Sequence, residues 1–183
     1  SGKEDLIGDN KMSEAELFLM NLTTDVFRPN QCSAVGVFGQ ASEDGNTVIG
    51  RNMEWDKGSE LQLAKTAAVT TYINSDRNSV CTVGFLGYMG SLTGFNNKGL
   101  FIANLDSETG AEQTVDFSGV SSYVFDEREA LEYQEDIETG HKIFLEKKYS
   151  YNFILAMADK KECKNMECNI SGEGTNIRRE LRT

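Results

Sequence analysis

The sequence predicts an α+β fold built on antiparallel strands, and three observations carry that prediction. A capped apolar segment opens the chain, three strand–turn–strand units follow between residues 33 and 106, and two helical segments separate these from a fourth such unit near the end. Parallel βαβ units would interleave strands and helices one for one, whereas here the strands come in blocks.

The first helix is predicted from about 14 to 24. Ser13 with Glu16 three residues on is a capping-box pattern, and Leu17, Phe18, Leu19, Met20 and Leu22 follow it. Arg28-Pro29-Asn30 ends it, because proline disfavours a helical conformation at the residue before it. "SAVGVFG" and "NTVIGRNMEW" then flank the turn residues Glu43 to Asn46, "AKTAAVTTYI" and "SVCTVGFLG" flank Asn74 to Asn78, and "SLTGF" and "LFIANL" flank Asn96 to Gly99. Asp126 with Glu129 offers a second capping pattern leading into Ala130, Leu131 and Tyr133. Ile137, His141, Phe144 and Leu145 have the i, i+4, i+7, i+8 spacing of a third helix. "YNFILAMAD" and "CKNMECNI" read as a last hairpin across Lys160-Lys161, the two strands of a second sheet. "NISGEGTNIRRELRT" reads as charged and turn-rich, and since isolated two-stranded sheets are marginal, the chain is expected to be a fragment of a longer protein.

Composition narrows the function. The 183 residues suit one domain, and 18 Lys and Arg against 29 Asp and Glu leave a net charge of −11 without a basic stripe, which disfavours nucleic acid as a partner. The longest apolar run, "FILAMA" at 153–158, falls far short of the roughly 20 residues of a membrane span. One histidine and no CxxC pair leave no metal site to expect, and no cofactor is implied. Cys163 and Cys168 either pair across a turn or stay free. The compartment is left open between secreted, periplasmic and cytoplasmic.

The chemistry concentrates in the first hairpin, which carries Cys32 at its start and Arg51-Asn52-Met53-Glu54-Trp55-Asp56 at its end. A turn centred between Asp44 and Gly45 sets Cys32 opposite the neighbourhood of Lys57 and Ser33 opposite Asp56. Period-2 alternation puts Arg51, Met53 and Trp55 on the face of Cys32 and turns Asn52, Glu54 and Asp56 away unless a bulge intervenes. A guanidinium beside a thiol favours the thiolate. A base is still needed, and the single histidine, His141, falls on the apolar face of a predicted helix. The α-amine of a chain that begins at Cys32 is a second source of base, and it requires a cut between Gln31 and Cys32.

"CSAVGVFGQASEDGNTVIGRNMEWD" resembles the start of the mature chain in the cysteine N-terminal-nucleophile hydrolases: choloylglycine hydrolases and penicillin V acylases, acid ceramidase, N-acylethanolamine acid amidase and isopenicillin N acyltransferase. "SEAELFLMNLTTDVF" resembles the helix before their cleavage site, "GYMGSLTGFNNKGLFIANLD" their middle hairpin, and "YNFILAMADKKE" with "GTNIRR" their later strands. The resemblance implies a four-layer αββα sandwich. Residues 1–31 become the end of a propeptide or α-chain, and 32–183 the hydrolase domain, incomplete at its C-terminus.

The same resemblance implies hydrolysis of a linear N-acyl amide after autoproteolysis between Gln31 and Cys32, with Cys32 as nucleophile and Arg51 positioning substrate. Glu54 stands where the family has aspartate, Asn176 matches the oxyanion asparagine, and Asp106, with Asn104 two residues earlier, matches a second amide donor. Trp55, Tyr88, Met89 and Phe95 read as core, with one or two of them walling an acyl pocket. An acyltransferase, a non-catalytic binding module and an unrelated thiol enzyme stay open as alternatives. The expected partners are a small N-acyl amide and either a second copy or the missing chain segment.

Overall fold

The computed structural model describes residues 11–27, 32–55, 58–107, 117–169 and 178–182. Gln31, Asp56 and Asn176 lie outside them. Helix α1 (Glu14–Val26) starts on the predicted capping box: Ser13 Oγ accepts from the Glu16 amide at 3.2 Å, and Glu16 Oε2 accepts from the Ser13 amide at 2.9 Å. The first hairpin is β1 (Cys32–Val37) with β2 (Val48–Met53). Strands β3 (Ala67–Tyr72), β4 (Val80–Phe85), β5 (Thr93–Asn96) and β6 (Phe101–Asp106) form the next two predicted hairpins. The turn between β5 and β6 closes as its residues dictate. Asn96 Oδ1 accepts from the amides of Lys98, Gly99 and Leu100, and Gly99 supplies a φ of 104°.

Helix α2 (Tyr123–Tyr133) begins one turn before the predicted Asp126 cap. The predicted third helix is shorter than its spacing implied: α3 (Ile137–Gly140) tightens into a 3₁₀ turn at His141–Phe144. Strands β7 (Phe153–Ala158) and β8 (Cys163–Asn169) pair as expected, but they do not found a second sheet. β7 pairs antiparallel with β6, and the stretch read as turn-rich contains β9 (Arg178–Arg182) on the far side of β8. The result is one seven-stranded sheet in the order β3-β4-β5-β6-β7-β8-β9 and a separate two-stranded sheet, β1-β2, all of it antiparallel.

The core lies on the face of the large sheet that α2 and α3 cover. Ile102, Leu155, Met157, Met166 and Phe153 point there and meet Leu131, Ile137, Phe144 and Tyr149, all buried. Removing these side chains from water is the largest favourable contribution to the fold. The other face carries small residues at its centre, buried Ala103, Ala156 and Ala158, and β1-β2 stacks on it. Gly36 of β1 comes so close to Cys163 of β8 that an added Cβ would sit 2.5 Å from its sulfur. Two antiparallel sheets therefore pack face to face, with α2 and α3 on the outer face of the larger one, in the sandwich layering that the resemblance implies.

Cys163 and Cys168 stand at opposite ends of β8, opposite Ala158 and Phe153, and point to opposite faces of the sheet. That separation rules out a bridge between them, which decides between the two readings of that pair.

Candidate functional site

The site grows from the register of the first hairpin. β1 and β2 are joined by a longer connection than a tight turn at Asp44-Gly45, with a 3₁₀ turn at Gly39–Ala41 inside it. Cys32 therefore lies opposite Met53 and Ala34 opposite Arg51, four positions from the expected pairing with Lys57. The parity is unchanged, so Cys32, Ala34, Gly36, Arg51 and Met53 still share the face turned to the large sheet.

On that face Arg51 Nη2 donates to Cys32 Sγ at 3.2 Å and to the Asn104 carbonyl at 2.9 Å. Burial pulls the Arg51 pKa below its ordinary value, and the neighbouring Cys32 and Glu127 pull it back up. Its Nε and Nη1 are buried without a hydrogen-bond partner among the described residues, as is Asn104 Nδ2. A buried guanidinium with donors to spare is costly unless an anion or a polar ligand meets it.

The acidic group whose field reaches Arg51 is Glu127. Fully buried in the second turn of α2, it has no hydrogen-bond partner among the described residues for either carboxylate oxygen. Burial drives its pKa well up, Arg51 opposes that rise, and Asp126 and Asp25 add to it. The sequence reading missed Glu127 because "FDEREALEY" looks like a solvated helix face. The signal was available in the spacing: Val124, Glu127, Ala130 and Leu131 lie on one face of α2, and all are buried.

Glu54 is placed elsewhere. It is exposed beyond the end of β2, where its Oε1 accepts from Asn52 Nδ2 at 2.8 Å. Asp106 ends β6 with its Oδ1 accepting from the Ser107 amide at 2.8 Å. His141 Nδ1 meets the carbonyl of Ile137 at 3.0 Å, within its own turn. No group of His, Cys, Asp and Glu among the described residues is arranged to hold a metal ion.

Beside the hairpin lies a largely apolar cavity of about 760 Å³. Trp55, two residues past the partner of Cys32, forms one wall with Phe85, their rings edge to face at 6.1 Å. Tyr88 and Leu92 close the base, and Met20 with Thr24 of α1 supplies the wall opposite. Phe95 faces solvent instead, and no helix among the described residues is long and apolar enough to cross a membrane.

Three solved structures share this arrangement of sheets and helices. An N-acylethanolamine-hydrolyzing acid amidase ortholog from Caenorhabditis elegans matches 82% of the chain with a TM-score of 0.58 at 18% identity. A mutant and a variant of the conjugated bile acid hydrolase from Clostridium perfringens match 82% and 80% of it, each with a TM-score of 0.56, at 14% and 13% identity. The chain shares the fold of these proteins. The chain spans 63% of the length of the C. elegans protein and 51% and 50% of the two bile acid hydrolases. No family model matches the chain, and no curated protein matches it by sequence.

Proposed function

We propose that this chain carries the nucleophile of an amidase that cleaves a linear N-acyl amide bond through Cys32, freed as an N-terminal residue by a cut after Gln31. The observation that supports this reading most is the Arg51 guanidinium held 3.2 Å from the Cys32 sulfur, with Trp55, two residues past the strand partner of Cys32, lining a large apolar cavity. Among the described residues no histidine is near enough to share the thiol proton, so the α-amine of a cut chain serves as base. That amine takes the thiol proton, the thiolate adds to the amide carbonyl, and the ammonium protonates the departing amine. A thioester on Cys32 is left. Water then adds to the thioester with the same amine as base, releasing the carboxylic acid and the thiol.

In this scheme Asn176 stabilises the tetrahedral oxyanion, a donor worth roughly 3 kcal/mol, while Asn104, whose side chain lies with Ile102 and Leu155 on the sheet face away from β1-β2, serves through its backbone carbonyl, which holds Arg51. Arg51 orients substrate beside the thiol, Trp55 walls the acyl group, and Asp106 contacts the amine side. Glu54, the family aspartate's counterpart, holds the cysteine amine only if the cut lets the end of β2 turn inward. Its outward placement favours the second reading, a non-catalytic member of the fold. An acyltransferase differs from the first reading only in the acceptor, an amine in place of water.

Intact-mass measurement of wild type and Cys32→Ala tests maturation: two wild-type pieces, the second beginning at Cys32, and an uncut variant are expected. Incubating the cut protein with a panel of N-acyl amides should then add an acyl mass at Cys32. A correctly cut protein that never acquires it belongs to the non-catalytic reading.

A further inference from the structure

Helix α1 precedes the proposed cut, yet it is tied into the body by buried polar bonds where a covering helix needs only apolar contacts. Asn21 donates through Nδ2 to the Gly87 carbonyl at 3.2 Å and accepts from the Met89 amide at 2.6 Å. The Thr24 carbonyl accepts from the hydroxyls of Tyr123 and Tyr151, and the Thr24 hydroxyl meets that of Tyr88 at 2.8 Å. The Asp25 carbonyl accepts from Ser150 Oγ at 2.6 Å.

The Asp25 carboxylate makes the most consequential of these bonds. α2 begins at Ser122, whose own side chain caps none of the first-turn amides. Asp25 performs that task from another helix: Oδ1 accepts from the Tyr123 amide at 3.1 Å, and Oδ2 accepts from Ser122 Oγ at 2.6 Å. An anion at this end also suits the helix dipole. The turn that it fixes leads directly into the buried Glu127, which acts electrostatically on Arg51, and Arg51 Nη2 meets the Cys32 sulfur at 3.2 Å. We propose that Asp25 is a positioning residue, capping α2 across the proposed cut and thereby holding Glu127 and Arg51 in register with the Cys32 thiol.

The proposal rests on Cys32 being the reactive thiol of the amidase reading, but it extends that reading to a residue upstream of the nucleophile. It gives the segment ahead of the cut a lasting task, since α1 must stay docked for the site to stay assembled. The charged and titratable groups around Asp25 are Asp126 and Glu127 on α2, with the hydroxyls of Ser122, Tyr123, Tyr88 and Tyr151. Lys147 answers Asp126 at 2.6 Å.

The experiment compares wild type with Asp25→Ala, Asp25→Asn and Ser122→Ala. Hydrogen exchange reads the first-turn amides of α2, and iodoacetamide labelling, mapped by mass to Cys32 over roughly pH 5 to 9, reads the thiol. Asp25→Ala is expected to speed exchange in that turn about fivefold, the loss of one helix cap, and to move the Cys32 labelling profile to higher pH. Asp25→Asn keeps an acceptor for the Tyr123 amide and should restore both. Should Asp25→Ala fail to fold, Ser122→Ala removes one of the two bonds and shifts both readouts the same way by less.

Faster exchange in α2 with an unmoved Cys32 profile would reduce Asp25 to an ordinary structural cap and overturn the proposal, as would unchanged exchange. The labelling needs no amide substrate. A protein whose Cys32 profile follows Asp25 but which hydrolyses no N-acyl amide therefore loses the amidase reading and keeps the positioning role.

Discussion

Replacing Gly36 by alanine tests how the site is held, because Gly36 is where the nucleophile hairpin rests on the large sheet. A Cβ on residue 36 would lie 2.5 Å from Cys163 Sγ and 2.8 Å from Cys163 Cβ. Non-bonded carbon contacts settle at about 3.5–4.0 Å, so the alanine methyl needs roughly 1 Å that the structure does not provide. Rotating the cysteine side chain moves Sγ away but leaves its Cβ in place, so the strain reaches the backbone. Overpacking of this kind costs about 1–3 kcal/mol. The hairpin must lift, and Arg51, paired with Ala34 two residues away, lifts with it from the Asn104 carbonyl.

Urea unfolding followed by the fluorescence of Trp55, the chain's one tryptophan, measures the cost. The Gly36→Ala midpoint should fall with the slope unchanged. Cys163→Gly removes both clashing atoms at an intrinsic cost of about 0.5–1 kcal/mol, so the double variant should be more stable than the sum of the two single changes. A Gly36→Ala protein within about 0.5 kcal/mol of wild type, or a double variant that is simply additive, would refute the claim that this contact sets the spacing of the sheets.

Three further outcomes follow from the same geometry. Burial pushes the Asp25 carboxyl from its ordinary 3.8 up to about 6, so the folded state holds the proton more tightly than the unfolded chain; stability should fall by up to about 3 kcal/mol as pH rises from 4 through 6, and unfolding curves at several pH values should show that loss flattened in Asp25→Asn. Leu131 is fully buried with its Cδ1 over Gly94, so Leu131→Ala should cost about 2–5 kcal/mol in the same urea assay. Arg51→Lys replaces a planar fork by a point charge that cannot serve Cys32 Sγ and the Asn104 carbonyl together, and iodoacetamide labelling of Cys32 near neutral pH should slow by roughly tenfold.

The hairpins were legible because their signals are local. Alternating apolar residues around the turns at Asn74 to Asn78, Asn96 to Gly99 and Lys160-Lys161 place β3 to β8 without knowledge of anything distant, and parity alone puts Cys32 and Arg51 on one face. What sequence did not give was the pairing between blocks. β7 joins β6 across a long insertion containing α2 and α3, and nothing in "FILAMA" says whether its partner is an old sheet or a new one. The expected tight turn at Asp44-Gly45 failed for a related reason. Asp44 does bind the Asn46 amide at 3.0 Å, as turn chemistry requires, but the strands had already parted at Val37 and Val48.

Glu127 and Asp25 were invisible on other grounds. Both are acidic residues in helices, where exposure is the ordinary outcome, and only the docking of α1 on α2 and of Arg51 beneath β6 buries them. Charge in a sequence is read as solvation by default. A buried carboxyl with no hydrogen-bond partner among the described residues is therefore a tertiary fact, and its field on the guanidinium that meets the Cys32 thiol couples the helix covering the sheet to the first hairpin. Arg51 alone could be a packed structural side chain. With Asp25 capping the helix that carries Glu127, their burial has one consequence: the cap fixes the turn from which Glu127 acts on Arg51, and Arg51 meets the Cys32 sulfur.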